Sequence, residues 1–218
     1  WGNINYSNVP SRATKIYSNA FRKHNPIGYN KWLDDIESGE SKVNVSQLNP
    51  HEIAGKYLTM YHAGEDQLIE AQWQQLMKNT LDDGNDFKNC VAMPDMSGSM
   101  HGTPMNVAAT LSVLVAKVAA HQGSKFGNMV IAFSENPSFI DLGDSESLYD
   151  TIKALRDGNS YGFNTDLYKA FGVMIDRSIQ NNVEPKDFPD KIIIFTDMQF
   201  DEASDSRGVK RDMIDNIN

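Results

Sequence analysis

Over the first eighty positions, apolar residues recur at spacings of three and four. From residue 88 onward they come in short unbroken runs separated by longer periodic stretches. The first pattern predicts helices, and the second predicts strands alternating with helices. In "PSRATKIYSNAFRKH", Ala13, Ile16, Tyr17, Ala20 and Phe21 fall on one helical face. Trp32, Leu33 and Ile36 predict a short second helix, with Gly39 as its stop. "NPHEI" starts a third: Asn49 is the cap, Pro50 the first helical residue, and Glu52 sits in the first turn. Leu68, Ile69, Trp73, Leu76 and Met77 stripe a fourth, after which "LDDGND" (Leu81 to Asp86) breaks the pattern. A domain boundary is expected there, between a helical N-terminal region over 1–87 and a second domain over 88–218.

In the second region, "NCVAMP" predicts a buried strand and "PMNVAATLSVLVAKVAAH" a helix apolar nearly all round. "NMVIAFS" and "SFIDLG" predict two strands joined only by "ENP", a link that permits only antiparallel pairing. "SLYDTIKAL" and "TDLYKAFGVMIDRSIQ" read as amphipathic helices, the second with Leu167, Ala170, Phe171, Met174 and Ile175 on one face. "KIIIFTD" has the β-branched run of a central parallel strand. The order predicts an α/β fold with a Rossmann-like, doubly wound sheet.

Charge narrows the partners. The chain of 218 residues carries a formal net charge of −9, with eight basic and eleven acidic residues over 1–87. Neither region has the positive excess that phosphate binding demands, so nucleic acid is disfavoured. The single cysteine, Cys90, excludes an internal disulfide framework and fits a reducing compartment, intracellular and most simply cytoplasmic. No apolar run is expected to approach the roughly 20 residues of a membrane span. The chain begins at Trp1 and stops inside "VKRDMIDNIN", which reads as the middle of a helix, so an excerpt of a longer protein is expected.

Ligands of a doubly wound sheet bind outside the carboxyl ends of its strands. Three polar clusters fall there: Asp95, Ser97 and Ser99; Thr165 with Asp166; and Asp197. All are short oxygen donors without histidine or cysteine, which suits a hard cation, Mg²⁺ first, with Mn²⁺ or Ca²⁺ as substitutes. Residues i, i+2 and i+4 of an extended segment share one side, so Asp95, Ser97 and Ser99 can converge. With only two carboxylates among the ligands, the ion keeps net charge that attracts an external anionic oxygen. Thr103 before Pro104 reads as an N-cap, Asp166 as a helix-start residue rather than a ligand, and His101 as a solvent-exposed loop residue. A serine nucleophile needs G-x-S-x-G and a phosphate loop needs G-x-x-x-x-G-K-[ST]. "PDMSGSMHGTPM" supplies neither.

At Asp95-x-Ser97-x-Ser99, Thr165 and Asp197 the chain resembles the von Willebrand factor type A (vWA) domain and its metal-ion-dependent adhesion site (MIDAS). The resemblance implies direct coordination by both serines and, in the ligand-ready state, the threonine, with the aspartates acting largely through water. It also implies that a partner's Asp or Glu completes the shell, and that further strands follow residue 218. More narrowly, "VPSRATKIYSNAFRKH", "NPHEI", "PDMSGSMHGTPM", "AFSENP", "GFNTDLYKAF" and "FTDMQFDEA" together resemble an uncharacterised family of plants, fungi and giant viruses. That family joins a helical N-terminal region to an A-type domain and is loosely similar to the Ro/TROVE ribonucleoproteins. For a giant-virus source, the virion is a further expected location.

The expected function is therefore non-enzymatic: a metal-dependent protein-protein interaction module that binds an acidic side chain of a protein partner through Mg²⁺, away from membranes. No general base or nucleophile accompanies the proposed ion, so no catalytic residues are expected. Two alternatives stand beside it: a structural subunit of a viral or cellular assembly, and a Ro-like ribonucleoprotein whose N-terminal helices bind RNA.

Overall fold

The computed structural model describes residues 1–59, 64–132, 137–158, 167–197, 203–204 and 210–211. The chain divides into two compact units, Trp1–Asn85 with Ser147–Tyr149, and Asp86–Glu146 with Asp150–Asn218.

The described residues of the first unit include the α-helices α1 (Ser11–His24), α2 (Pro26–Glu37), α3 (Pro50–Leu58) and α4 (Gln67–Asp82). Helix α2 starts six residues before Trp32, the first residue of the expected helix. Pro26 fits the first helical position, and the Asn25 side chain accepts a hydrogen bond from Gly28 N at 3.2 Å. Past its end, Gly39 adopts φ +82°, a left-handed turn that suits glycine. At the start of α3, Asn49 N donates to the Glu52 carboxylate at 2.8 Å, satisfying a backbone donor at the helix entrance.

The inward face of α1 differs from the apolar stripe. Ser11, Thr14 and Phe21 are buried, whereas Ile16 is 71% and Tyr17 54% exposed. Burial of the two hydroxyls is tolerable because each has a nearby partner. Ser11 Oγ accepts from Gln47 N at 3.1 Å, and Thr14 Oγ1 donates to Pro10 O at 3.2 Å. The core behind that face is aromatic. Tyr6 lies against Phe21, Tyr29 and Trp32 at ring-centroid distances of 5.2, 5.3 and 5.5 Å. Trp32 Nε1 donates to Ser7 Oγ at 3.1 Å, and Asn25 Nδ2 to the Tyr6 hydroxyl at 3.0 Å. The Tyr29 hydroxyl is buried without a hydrogen-bond partner among the described residues, and burial pushes its pKa up to about 12.

Asp66 joins α1, α3 and α4. Its carboxylate accepts from Leu68 N at the start of α4 and from Lys56 Nζ at 2.7 Å, and lies 3.5 Å from Arg22. Its backbone N–H donates to the Tyr57 hydroxyl at 2.8 Å. Burial alone would raise the Asp66 pKa, but the Lys56 ammonium and the Arg22 guanidinium outweigh it and hold the carboxyl below its ordinary value. Glu70, one turn further along α4, accepts from the backbone amides of Leu148 at 2.7 Å and Tyr149 at 3.1 Å.

The second unit is built on a four-stranded mixed sheet: β1 (Cys90–Pro94), β2 (Met129–Ala132), β3 (Ser138–Asp141) and β4 (Lys191–Phe195), in spatial order β3-β2-β1-β4. Strand β1 pairs parallel with β2 and β4, and β3 pairs antiparallel with β2, as the short link between them requires. The helices are α5 (Thr103–His121), α6 (Leu148–Asp157) and α7 (Leu167–Gln180). Two-residue strands β5 (Ala203–Ser204) and β6 (Lys210–Arg211) pair antiparallel, so Lys210 and Arg211 are not in the helix expected for "VKRDMIDNIN". Among the described residues β4 ends the sheet on one side, with Ile192, Ile193 and Ile194 only half-buried rather than enclosed as in a central strand.

Alternate strand residues face opposite ways. Val91, Met93 and Ile131, with half-buried Ile192 and Ile194, form one cluster with Ala170 and Met174 of α7. The intervening Cys90, Ala92, Val130 and Ala132 are equally buried but lie outside that cluster, on the face left to α5. Helix α5 has the length and apolar composition of a membrane span, contrary to the expectation from the apolar runs. It is instead a core helix: Ala109, Val113, Ala116, Val118 and Ala119 are all buried, and it packs against β1, β2 and β4. After it, a Cβ on Gly127 would come within 2.5 Å of Ala120 Cα, so only glycine permits that close approach. Lys117 is buried on α5, and its ammonium donates to the carbonyls of Gly143 and Ser145 at 2.8 Å each, holding the turn after β3.

Ile175 is 49% exposed, because α7 turns Ala170, Met174 and Ser178 inward instead. Thr103 is already helical, and Gly102, at φ +94°, occupies the cap position, so Thr103 is not the N-cap.

Two stability predictions follow from the first unit. Because the Asp66 pKa is lowered on folding, its contribution is complete above the ordinary aspartate value of 3.8 and is lost as pH falls through the lower native value. Asp66→Asn keeps a capping oxygen but loses the charge pairs. Thermal unfolding should show a cost of about 1 kcal/mol or less at pH 7, given the exposed partners, and a shallower loss of stability on acidification. Tyr29→Phe removes a buried hydroxyl that has no partner among the described residues, so its melting temperature should equal or exceed that of the wild type.

Candidate metal centre

The five buried residues of β1 carry the chain to the carboxyl end of the sheet, where Pro94 pairs in register with Phe195 of β4. The ladder extends one residue further, with Asp95 N donating to Phe195 O at 2.9 Å. Asp95 is fully buried. One carboxylate oxygen, Oδ1, accepts from Ser97 N at 2.9 Å, the local turn that aspartate favours after a strand. The other, Oδ2, accepts from Thr196 Oγ1 at 2.7 Å.

A 3₁₀ turn over Gly98–Met100 then reverses the chain, closed by Met100 N on Ser97 O at 3.2 Å. Met96 before the turn and Met100 at its end are buried and anchor the loop. Ser97 is buried and Ser99 exposed, and their hydroxyl oxygens lie 3.0 Å apart. Gly102 then turns the chain into α5.

Two features of this arrangement bear on a cation. Both hydrogen bonds to Asp95 come from neutral groups, and among the described residues no lysine, arginine or histidine pairs with it. A buried carboxylate without a countercharge is costly, and a bound cation would remove that cost. The hydroxyl spacing also matters. Cis ligands of an octahedral Mg²⁺, at about 2.1 Å from the ion, lie about 3.0 Å apart, whereas ligands at the roughly 2.4 Å typical of Ca²⁺ would be about 3.4 Å apart. The Ser97 and Ser99 hydroxyls are hydrogen-bonded to each other at 3.0 Å, close enough for both to serve one ion. The donors are oxygens of the kind a hard divalent cation takes, and Ser97, Ser99 and Asp95 are the residues that would hold one here.

The structure brings together Asp95, Ser97 and Ser99 of the five residues expected from sequence. Asp197 lies two residues beyond Phe195 at the same end of the strands, and is exposed. Thr165, with neighbouring Asp166, lies outside the described residues. His101 is exposed in the turn before α5. Among the described residues, no group of three or more His, Cys, Asp or Glu side chains forms a metal cluster, so any ion here would rely on hydroxyls. Thr196 is the residue that sequence reasoning passed over. In "KIIIFTD" it reads as the end of a strand, and only the β1–β4 register shows that it reaches Asp95.

Residues 89–216 match the family model described as domain of unknown function DUF7788, and the chain belongs to that family. Residues 1–85 match a second model, domain of unknown function DUF2828. An uncharacterized protein of Acanthamoeba polyphaga mimivirus is 36% identical over 213 residues, which cover 92% of this chain. The chain spans 36% of that relative's length. No solved structure matches the chain.

The buried carboxylate predicts an inversion of stability with metal. In EDTA, Asp95→Asn should unfold at a higher temperature than the wild type, by the equivalent of about 1–3 kcal/mol, because it removes an uncompensated charge while keeping an acceptor for Ser97 N. Millimolar Mg²⁺ should stabilise the wild type and leave Asp95→Asn unchanged. Differential scanning calorimetry with and without EDTA measures both effects.

Proposed function

We propose that this chain is a non-enzymatic interaction module of the von Willebrand factor A type, with a Rossmann-like doubly wound fold, that binds an acidic side chain of a protein partner through Mg²⁺. The observation that carries the reading is the fully buried, neutrally bonded Asp95 beside a hydrogen-bonded pair of serine hydroxyls. The parallel β1–β4 pair, the antiparallel β3 and the helices on the two sheet faces support the A-type fold. Thr165 and Asp197 complete the proposed ligand set.

A bound divalent ion would supply Lewis acidity toward a partner's carboxylate. This chain's residues do the rest. Ser97 and Ser99 present neutral oxygens that leave positive charge for the partner, while Asp95 supplies a carboxylate held rigid by two hydrogen bonds. Ser99 is exposed, whereas Ser97 and Asp95 are buried. The giant-virus relative fits an intracellular or virion setting.

RNA binding by the helical unit has weaker support. Helix α1 carries Arg12, Lys15, Arg22 and Lys23 and no acidic residue, yet three of these cations already have partners. Arg12 pairs with Glu52, Lys15 donates to Glu52 O, and Arg22 pairs with Asp66. A purely structural role in an assembly would leave assembly indifferent to the metal ligands.

Isothermal titration of MgCl₂ into the chain should show one site, with weaker Ca²⁺ uptake, that Asp95→Ala and Ser97→Ala abolish. Absence of Mg²⁺ and Mn²⁺ uptake by the wild type would overturn the proposal.

A further inference from the structure

We infer that Thr196 is the positioning residue of this site: it sets the orientation of Asp95 and thereby the affinity for the divalent ion. The inference rests on the metal reading proposed above.

Phe195, the last residue of β4, and Thr196 just after it hold Asp95 at two points. Phe195 O accepts from its backbone N–H at 2.9 Å, and Thr196 Oγ1 donates to its Oδ2 at 2.7 Å. With Ser97 N on Oδ1 at 2.9 Å, each carboxylate oxygen receives one donor, which fixes the carboxylate plane. A carboxylate has about four lone-pair directions, so each oxygen keeps one for an ion or an ion-bound water. The Thr196 bond spans 101 residues of sequence and joins the ends of two parallel strands. The site therefore takes its carboxylate from β1 and that carboxylate's orientation from β4.

Thr196 is neutral, and this decides how it acts. A lysine or arginine in its place would cancel the charge of Asp95 and compete with the ion. A hydroxyl makes the buried carboxylate tolerable without cancelling its charge, so attraction for a cation persists. Partners that orient a metal ligand without touching the metal are worth about 10- to 100-fold in metal affinity when removed.

The test uses the full 218-residue chain. Mn²⁺ and Mg²⁺ affinities are measured by titration calorimetry and by Mn²⁺ electron paramagnetic resonance for the wild type, Thr196→Val and Thr196→Ser. Valine keeps the β-branched shape and loses the donor; serine keeps the donor. The expected result is about 10- to 100-fold weaker Mn²⁺ binding by Thr196→Val, with Thr196→Ser close to wild type. Melting in EDTA adds a readout that a merely structural threonine would not give. Thr196→Val should lower the melting temperature of the wild type by more than it lowers that of Asp95→Asn, because a hydroxyl bonds a carboxylate more strongly than it bonds a neutral amide. Thr196→Ala carries the same affinity expectation and is used if the valine variant does not fold.

Wild-type affinity in Thr196→Val, or equal melting losses in both backgrounds, would overturn the role of Thr196 while leaving the metal site standing. A wild type that binds neither ion would overturn both.

Discussion

Five consecutive register pairs between β1 and β4, from Cys90 with Lys191 to Pro94 with Phe195, are the constraint on which the site depends. Parallel pairing places the carboxyl ends of both strands on the same edge of the sheet, so the polar residues that follow each strand meet there. Asp95 continues the ladder onto Phe195 O, and its side chain reaches Thr196. A one-residue slip would turn Asp95 to the other face of β1 and remove it from Thr196 and from the serine turn. The register is protected by burial: all five residues of β1 are inside, and each face packs against a different helix.

The same unit shows how a small-residue helix secures that register. Helix α5 places Ala108, Ala109, Ala116 and Ala119 in the core. Small side chains let a helix approach a sheet closely, and Gly127 allows the returning chain to close on Ala120. Polar groups inside this core are few and mostly bonded. Lys117 is the clearest case. Burial lowers its pKa, while the Gly143 and Ser145 carbonyls give its ammonium two acceptors.

The helical unit meets its constraints differently. Its core is a cluster of rings around Tyr6, and its polar interior is concentrated at Asp66, where a helix cap and two cations share one carboxylate. The apolar stripe of α1 misled because α1 buries two hydroxyls, Ser11 and Thr14, whose partners lie nearby, and leaves Ile16 and Tyr17 outside. Spacing identifies a helix; which of its faces turns inward depends on what the neighbouring elements offer. The same reasoning applies to α7, where Ser178, bonded to Met174 O, is buried in preference to Ile175.

Local signals in the sequence determined the elements and much of the site. Apolar periodicity and apolar runs marked α1–α7 and β1–β4 but not β5 and β6, Asn49 with Pro50 marked the start of α3, Gly39 the end of α2, and the short link between β2 and β3 their antiparallel pairing. The alternation of Asp95, Ser97 and Ser99 was also legible, but the three converge through the turn at Ser97 and the 3₁₀ turn over Gly98–Met100 and not along one extended segment. Tertiary structure alone decided the rest. It set the burial of Asp95, the 3.0 Å spacing of the two hydroxyls and the reach of Thr196 across the sheet. Each of these depends on strands that are distant in sequence and adjacent only after folding. Neither periodicity nor spacing along the chain encodes which neutral hydroxyl will stand opposite a buried charge.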